Sequence, residues 1–155
     1  MKTFPNILLF IIGGFLAGFV SLLFLASVPS LAPISDIAQI IFNSTAEEFV
    51  KLFILGFILK NIRNFSFSFR NIFISSVIYG LGFTLFEIML RNLNRAVLIP
   101  REILFVLFVH VATSILLFLV IRSSRVKKLS TNPLLYLILA IFIHLCYNLI
   151  VQMMF

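Results

Sequence analysis

The apolar run at residues 7–28 reads ILLFIIGGFLAGFVSLLFLASV and contains no charged side chain. An α-helix needs about 20 mostly apolar residues to cross the roughly 30 Å of hydrocarbon in a bilayer. Four further runs have this length and character, and they lie at residues 34–59, 73–90, 99–121 and 134–155. The sequence therefore predicts an all-α, polytopic transmembrane helix bundle of about five helices, in a single membrane-embedded domain covering residues 1–155.

The composition points to the same class of protein. Of the 155 residues, 62% are hydrophobic and only 11% are charged, against about 25% charged in an average soluble domain. The mean hydropathy is +1.20. One soluble core cannot hide this much apolar surface, so we expect an integral membrane protein in contact with the lipid bilayer. The basic excess must lie between the spans, which argues against nucleic acid as a partner.

The Lys and Arg residues of the connections predict the orientation, because cytoplasmic loops retain positive charge. Eight fall on one side, namely Lys2, Lys60, Arg63, Arg70, Arg122, Arg125, Lys127 and Lys128. Three fall on the other side, namely Arg91, Arg95 and Arg101. We therefore predict a cytoplasmic N-terminus and an external C-terminus. A reporter fused after Phe155 is expected outside the cell, and its recovery in the cytoplasm would contradict this orientation.

Six side chains that are carboxylate, ammonium or imidazole fall well inside the predicted spans, away from the span ends. They are Glu47, Glu48, Lys51, Glu87, His110 and His144. A charged group in hydrocarbon costs from about 3 kcal/mol upwards on insertion scales, so such groups normally face the bundle interior and mark a functional site. Counted along each helix at about 1.5 Å per residue, the acids and imidazoles of four helices lie within roughly 6 Å in depth. The sequence therefore predicts one polar cluster built from four helices.

The charged residues of the second span are spaced for an ion pair. Glu47 precedes Lys51 by four positions and Glu48 precedes it by three, so either carboxylate can share a helix face with the ammonium. One glutamate is then expected to pair with Lys51 and the other to stay available. A purely structural ion pair that satisfies two buried charges is the alternative interpretation for Lys51.

Each intramembrane histidine has a polar neighbour one turn away. Asn148 follows His144 by four positions, and Ser114 follows His110 by four. A single buried histidine is more often a hydrogen-bonded structural residue than a catalyst, but two at matching depth favour a site. Ser114 and its neighbour Thr113 are expected to bond carbonyls of their own helix.

This set of side chains suits hydrolysis of an amide bond. A carboxylate in a cavity of low dielectric constant can take a proton from water, while imidazoles orient the water or stabilise an oxyanion. The sequence lacks GxSxG and HExxH, so the serine hydrolase and zincin motifs are absent. Two histidines and a glutamate are also zinc ligands, so a divalent metal such as zinc held by Glu47, His110 and His144 stays open.

Four motifs occur in order on four of the five spans: EEFVK at 47–51, FTLFE at 83–87, HVATS at 110–114 and HLCYN at 144–148. The series resembles the EExxK, FxxxE, HxxxS/T and HxxxN motifs of PrsW-type intramembrane proteases. That family belongs to the superfamily of CAAX prenyl endopeptidases and bacteriocin-processing enzymes. The resemblance implies an endopeptidase of a prokaryotic plasma membrane. Its substrates would be membrane-associated proteins or peptides, such as anti-sigma factors or prenylated peptides.

The resemblance also implies roles for individual residues. Glu47 would activate water, and Glu48 would be a supporting carboxylate near Lys51. The two histidines would orient the water and stabilise the oxyanion, assisted by Asn148. The candidate catalytic residues are Glu47, Glu48, Glu87, His110, His144 and Asn148, with Lys51 and Ser114 as supporting residues. Glu87 stands where prenyl endopeptidases have histidine, so their metal-free arrangement does not transfer intact.

Two other functions fit the same residues. One is a non-catalytic membrane scaffold with a structural Glu and His cluster, as in the Aph subunit of gamma-secretase, which is related to this superfamily. The other is a proton or ion transporter, in which Glu47, Glu87 and the histidines form a relay. Transporters often have inverted repeats and helices broken by Gly or Pro. The sequence contains no evident repeat, so the transporter ranks last.

Overall fold

The computed structural model of the chain describes residues 4–27, 36–62, 65–93, 100–125 and 132–154, with side chains described from residue 6 to residue 152. These residues form five helices: α1 (Phe4–Ser27), α2 (Asp36–Asn61), α3 (Phe69–Leu93), α4 (Pro100–Arg125) and α5 (Pro133–Met154). The described part of the chain contains no strand, so the predicted all-α bundle is confirmed. The predicted span limits at 28, 34, 99 and 155 lie outside the described residues, as do Lys2, Arg63, Arg95, Lys127 and Lys128.

The helix ends follow local chemistry. Asp36 lies in the first turn of α2, where a carboxylate complements the positive end of the helix dipole. Pro100 and Pro133 open α4 and α5, and the fixed backbone angle of proline suits a first helical position. The helix α3 extends past the apolar run that ends at position 90, since Arg91 and Asn92 continue the helix to Leu93 without being apolar. Arg91, expected in a connecting loop, therefore belongs to the last turn of α3.

Four helices are long and apolar enough to cross a membrane, over Asn6–Ser27, Phe69–Leu93, Pro100–Arg125 and Pro133–Gln152. The helix α2 is equally long, with 26 residues, but carries Glu47, Glu48 and Lys51 at its centre. Its opposite face consists of exposed apolar side chains at a spacing of four or eight: Ile37, Ile41, Phe49, Phe53 and Phe57. The charged side chains of α2 therefore face the bundle, and its exposed apolar side chains lie on the other side of the helix.

Glycines bring α1 and α3 into backbone contact. A Cβ atom at Gly14 would collide with the carbonyl oxygen of Tyr79, and one at Gly82 would collide with the carbonyl oxygen of Ile11. A Cβ at Gly18 would lie 2.5 Å from the ring of Phe86. The GxxxG spacing of Gly14 and Gly18 predicts such a close approach, and the α1–α3 contact confirms it.

Aromatic rings pack together at the end of the bundle where α1 begins and α2 connects to α3. The Phe65 ring, in the segment between α2 and α3, lies with its centroid 5.9 Å from the rings of both Phe10 and Phe118. These rings belong to a buried cluster that includes Leu55 and Tyr79. This end is filled by apolar side chains, whereas Glu47, Glu87, Arg91 and His144 lie beside the C-terminal parts of α1 and α3.

Gly14→Ala and Gly82→Ala are expected to destabilise the bundle by about 1–3 kcal/mol, because the added methyl group meets rigid backbone and must push α1 and α3 apart. Gly56→Ala on α2 is the control, since nothing lies within 4 Å of a Cβ at that position. Thermal unfolding in one detergent checks the difference. Equal melting temperatures for Gly14→Ala and Gly56→Ala would contradict the close approach.

Candidate active site

Polar side chains from four helices meet at one level of the bundle, which confirms the predicted cluster. The helix α2 contributes Ser44, Glu47, Glu48 and Lys51, α3 contributes Glu87 and Arg91, α4 contributes His110, and α5 contributes His144 and Asn148. Glu48 with Lys51 and Glu87 with Arg91 are one helical turn apart. The other contacts join residues far apart in sequence, so the cluster is complete only once the helices pack together.

A fully buried ion pair forms the centre of the cluster. Lys51 Nζ donates to Glu48 Oε1 at 2.6 Å, and both side chains have 0% exposure. Spacing alone left Glu47 and Glu48 as equal candidates for this pairing, and the structure selects Glu48. The ammonium also lies 3.2 Å from His110 Nδ1 and 4.2 Å from the centroid of the Phe83 ring. Lys51 therefore has a carboxylate, an imidazole and an aromatic face as partners.

His144 links the buried pair to Glu47. Its Nδ1 lies 2.7 Å from Glu48 Oε1, and we assign the hydrogen to Nδ1 because an ionised carboxylate can only accept. The other ring nitrogen, Nε2, then carries a lone pair and faces Glu47 Oε2 at 3.5 Å. That distance exceeds an ordinary hydrogen bond. The Glu47 side chain, which is 21% exposed, is therefore open to a further partner.

His110 extends the network to α3. Its Nδ1 accepts from Lys51, so Nε2 carries the hydrogen and donates to Glu87 Oε2 at 2.7 Å. Glu87 Oε1 accepts from Arg91 Nη2 at 2.5 Å, one helical turn further on. Hydrogen bonds thus run continuously from His144 through Glu48, Lys51 and His110 to Glu87 and Arg91.

The charges of this cluster do not balance. The carboxylates are Glu47, Glu48 and Glu87, whereas the cations among the same residues are Lys51 and Arg91. Each cation lies against a different carboxylate, Lys51 against Glu48 and Arg91 against Glu87. Glu47 is the carboxylate of the described cluster that has no Lys or Arg partner. It is therefore the group best placed to accept a proton from a molecule beside it.

A cavity of about 270 Å³ lies against the cluster. Its lining consists of Gly18, Ser21, Leu22, Leu25, Glu47, Phe83, Phe86, Glu87, Leu90, Arg91, His144 and Asn148. Four of the six predicted catalytic residues therefore line it, while Glu48 and His110 lie behind its wall. The lining from α1 and α3 comes from the C-terminal parts of both helices, the side predicted to be external. Glu47 forms part of the cavity lining at this end of the bundle.

The sequence interpretation did not include Ser44, Tyr79 and Arg91, which also contact the cluster. Asn148 Nδ2 donates to Ser44 Oγ at 3.0 Å, and the Tyr79 hydroxyl donates to the Lys51 carbonyl oxygen at 2.9 Å. Arg91 and Ser44 had a detectable signal, since Arg91 follows Glu87 by one turn and Ser44 precedes Glu48 by one turn. Tyr79 had none, because its contact depends on how α3 packs.

Ser114 does not behave as expected from its spacing. Its hydroxyl is buried and has no hydrogen-bond partner within the described residues, so it bonds neither His110 nor a carbonyl of its own helix. The neighbouring Thr113 follows the expectation, since its Oγ1 donates to the His110 carbonyl oxygen at 3.3 Å. The imidazole of His110 contacts Lys51 of α2 and Glu87 of α3 instead of Ser114. Ser114 therefore makes no hydrogen bond to the described cluster residues that would give it a supporting role.

The predicted zinc ligands do not fit a metal. In the part of the chain that the structure describes, no three His, Cys, Asp or Glu side chains are arranged to hold an ion. His110 Nδ1 faces the Lys51 ammonium at 3.2 Å, which would repel a cation. Its Nε2 and the Nδ1 of His144 are each 2.7 Å from a carboxylate oxygen. His110 and His144 are therefore committed to hydrogen bonds within the cluster, and with Glu47 they are not arranged as a ligand set.

No protein-family profile, curated protein or solved structure matches this chain. The order of its four motifs and the geometry of the cavity are therefore the grounds for assigning it a function.

Proposed function

We propose that the chain is an intramembrane endopeptidase of the PrsW type, which hydrolyses a peptide bond of a membrane protein or membrane-associated peptide. One observation carries the proposal. Glu47 lines the cavity without a Lys or Arg partner, and its carboxylate faces the available nitrogen of His144 at 3.5 Å. A carboxylate and an imidazole that share access to one water molecule are the components of general-base hydrolysis.

Glu47 and His144 would activate a water molecule in the cavity. The water gives one proton to Glu47 while its oxygen adds to the carbonyl carbon of the substrate, and His144 Nε2 accepts the second hydrogen to fix the water's orientation. The C–N bond of the tetrahedral intermediate then breaks. The proton held by Glu47 passes to the departing nitrogen, which leaves a carboxyl and an amino product. Glu48 holds the imidazole in this tautomer through Nδ1.

Asn148 is the donor best placed for the oxyanion. Its side-chain amide lines the cavity and gives one hydrogen to Ser44, which leaves the second for a developing negative charge. Arg91 also lines the cavity, but its guanidinium is paired with Glu87. His110 lies behind the wall between Lys51 and Glu87, so this geometry favours a positioning role for His110 and not direct contact with water.

Cleavage is expected in proteoliposomes that contain the purified chain and a panel of tagged single-span proteins, including anti-sigma-factor-like and prenylated substrates. Because the cavity lies toward the predicted external side, the cut is expected at or above mid-membrane on that side. Because the described cluster is not arranged as a metal-ligand set, the rate is expected to be the same in the presence of a chelator. Mass spectrometry of the product termini measures the position. Failure to cut any member of the panel, with the protein folded, would count against the proposal.

A further inference from the structure

The helix α1 forms a wall of the cavity, although none of the four motifs lies on it. Gly18, Ser21, Leu22 and Leu25 line the cavity. Their spacing of three, four and seven positions places them on one helix face. The catalytic candidates that line the same cavity come from α2, α3 and α5. A molecule held in the cavity therefore contacts catalytic groups on one side and α1 on the other.

Ser21 is the polar residue of this wall, and its hydroxyl is unpaired. The residue is 2% exposed, and its Oγ has no hydrogen-bond partner among the described residues. Serine in a helix normally bonds a carbonyl three or four positions earlier, as Ser27 does with the Phe24 carbonyl oxygen at 2.7 Å. A buried hydroxyl without a partner costs free energy. Such a group is explained when a ligand supplies the partner.

The cavity suits a short unwound peptide. Attack on a peptide bond of a membrane helix requires local unwinding, which frees backbone N–H and C=O groups that lipid cannot satisfy. A volume of about 270 Å³ lies just below the roughly 300–1,000 Å³ of drug-sized pockets, so only a short segment fits. Leu22 and Leu25 offer apolar surface for its side chains, whereas the hydroxyl of Ser21 can donate to a carbonyl.

We propose that Ser21 is a substrate-binding residue, whose hydroxyl donates a hydrogen bond to a backbone carbonyl of an unwound segment of a membrane-spanning peptide. This inference rests on the proposed function and extends it, because it assigns the recognition of the peptide backbone to α1. The segment lies between Ser21 and the reacting pair of Glu47 and His144. The same hydrogen bond compensates part of the cost of unwinding the substrate.

The test uses Ser21→Ala, with Ser76→Ala as the matched control. Ser76 is equally buried and its hydroxyl is also unpaired in the described part of the chain, but it does not line the cavity. Both substitutions remove an unpaired hydroxyl, so both are expected to raise the melting temperature by about 2–4 °C. Ser21→Ala alone is expected to weaken the binding of a peptide probe about five- to tenfold.

The probe is a synthetic single-span peptide with a central Gly-Gly pair, and a peptide with Leu-Ala at that place is its comparison. Affinity is measured in nanodiscs on the Glu47→Gln background, so that the reading does not depend on cleavage. On that background, the chain with no further substitution and the chain with Ser76→Ala are expected to prefer the Gly-Gly peptide, which unwinds more readily. Ser21→Ala is expected to lose most of that preference.

Several results would overturn the inference. These are equal affinity in Ser21→Ala and Ser76→Ala, equal binding of both peptides by Glu47→Gln with no further substitution, or a lower melting temperature in Ser21→Ala. Two further outcomes distinguish a failure of this inference from a failure of the proposed function. If the peptide binds in a Ser21-dependent way but wild type never cuts it, the binding site stands and the protease does not. If wild type cuts it and Ser21→Ala leaves KM unchanged, the protease stands and the binding role of Ser21 does not.

Discussion

Glu47→Gln is expected to lower the cleavage rate about a hundred- to ten-thousandfold while the bundle stays folded. That range is the usual contribution of a general base. The amide keeps the size of the carboxylate but cannot take a proton from water. Because Glu47 has no Lys or Arg partner in the described cluster and its nearest imidazole nitrogen is 3.5 Å away, its neutralisation leaves no buried cation unpaired.

Two control variants sharpen this result. Asp36→Asn removes an exposed carboxylate from the first turn of the same helix, away from the cavity, and is expected to cleave like wild type. Glu48→Gln changes the adjacent residue but removes the negative charge that Lys51 and His144 share, which leaves the buried Lys51 ammonium without a counter-charge, so it is expected to lose stability together with activity. Initial rates in proteoliposomes and thermal unfolding are measured on the same preparations.

The same pair of measurements separates a protease from a scaffold. A scaffold has no cleavage to lose, so the wild type itself would cut no member of the substrate panel. Retained cleavage by Glu47→Gln would contradict the role of Glu47 as the base. Loss of cleavage with an unchanged melting temperature would support the base and exclude a merely structural Glu47.

Lys51→Met is expected to destabilise the protein by about 3–5 kcal/mol, which is the usual cost of leaving one member of a buried ion pair alone. The substitution keeps the length of the side chain but removes the ammonium from Glu48 and from His110 Nδ1. Glu48 also has a second oxygen, Oε2, with no partner within the described residues. In Lys51→Met, the hydrogen bond from His144 would then be the remaining partner of the Glu48 carboxylate among the described residues.

Lys60→Met is the matched control for Lys51→Met. Lys60 lies in the last turn of α2 and is exposed, so its loss is expected to change stability by less than about 0.5 kcal/mol. The double variant Glu48→Gln with Lys51→Met is expected to recover part of the loss, because both charges are then gone. Chemical or thermal unfolding in detergent provides the values. Equal stability of Lys51→Met and Lys60→Met would show that the pair is not needed for folding.

The residue spacing predicted the cluster but not its internal pairing. Long apolar runs set where the helices lie, and counting along them placed Glu47, Glu87, His110 and His144 at one depth. Spacing on α2 allowed Lys51 to pair with either glutamate. The choice of Glu48 depends on which face of α2 meets α4 and α5, since His110 and His144 also contact that pair.

The length of α3 is a second feature that the hydrophobic pattern did not predict correctly. The apolar run predicted an end at position 90, because hydrophobicity marks the lipid boundary, whereas the helix continues to Leu93. Arg91 consequently belongs to the cavity and pairs with Glu87. Its spacing of four from Glu87 was visible in the sequence. What obscured it was the assumption that a helix ends where its apolar residues end.

By itself, the sequence determined a membrane bundle with carboxylates and imidazoles at one depth, because hydrophobic length and helical periodicity are local properties. Only the tertiary structure decided that Glu48 pairs with Lys51, that Glu47 faces a cavity, and that Ser21 of α1 forms part of its wall. These outcomes depend on how far each helix is rotated about its axis. That rotation is fixed by close packing between helices, such as the contact of Gly14 with Tyr79, which the order of residues along one helix does not contain.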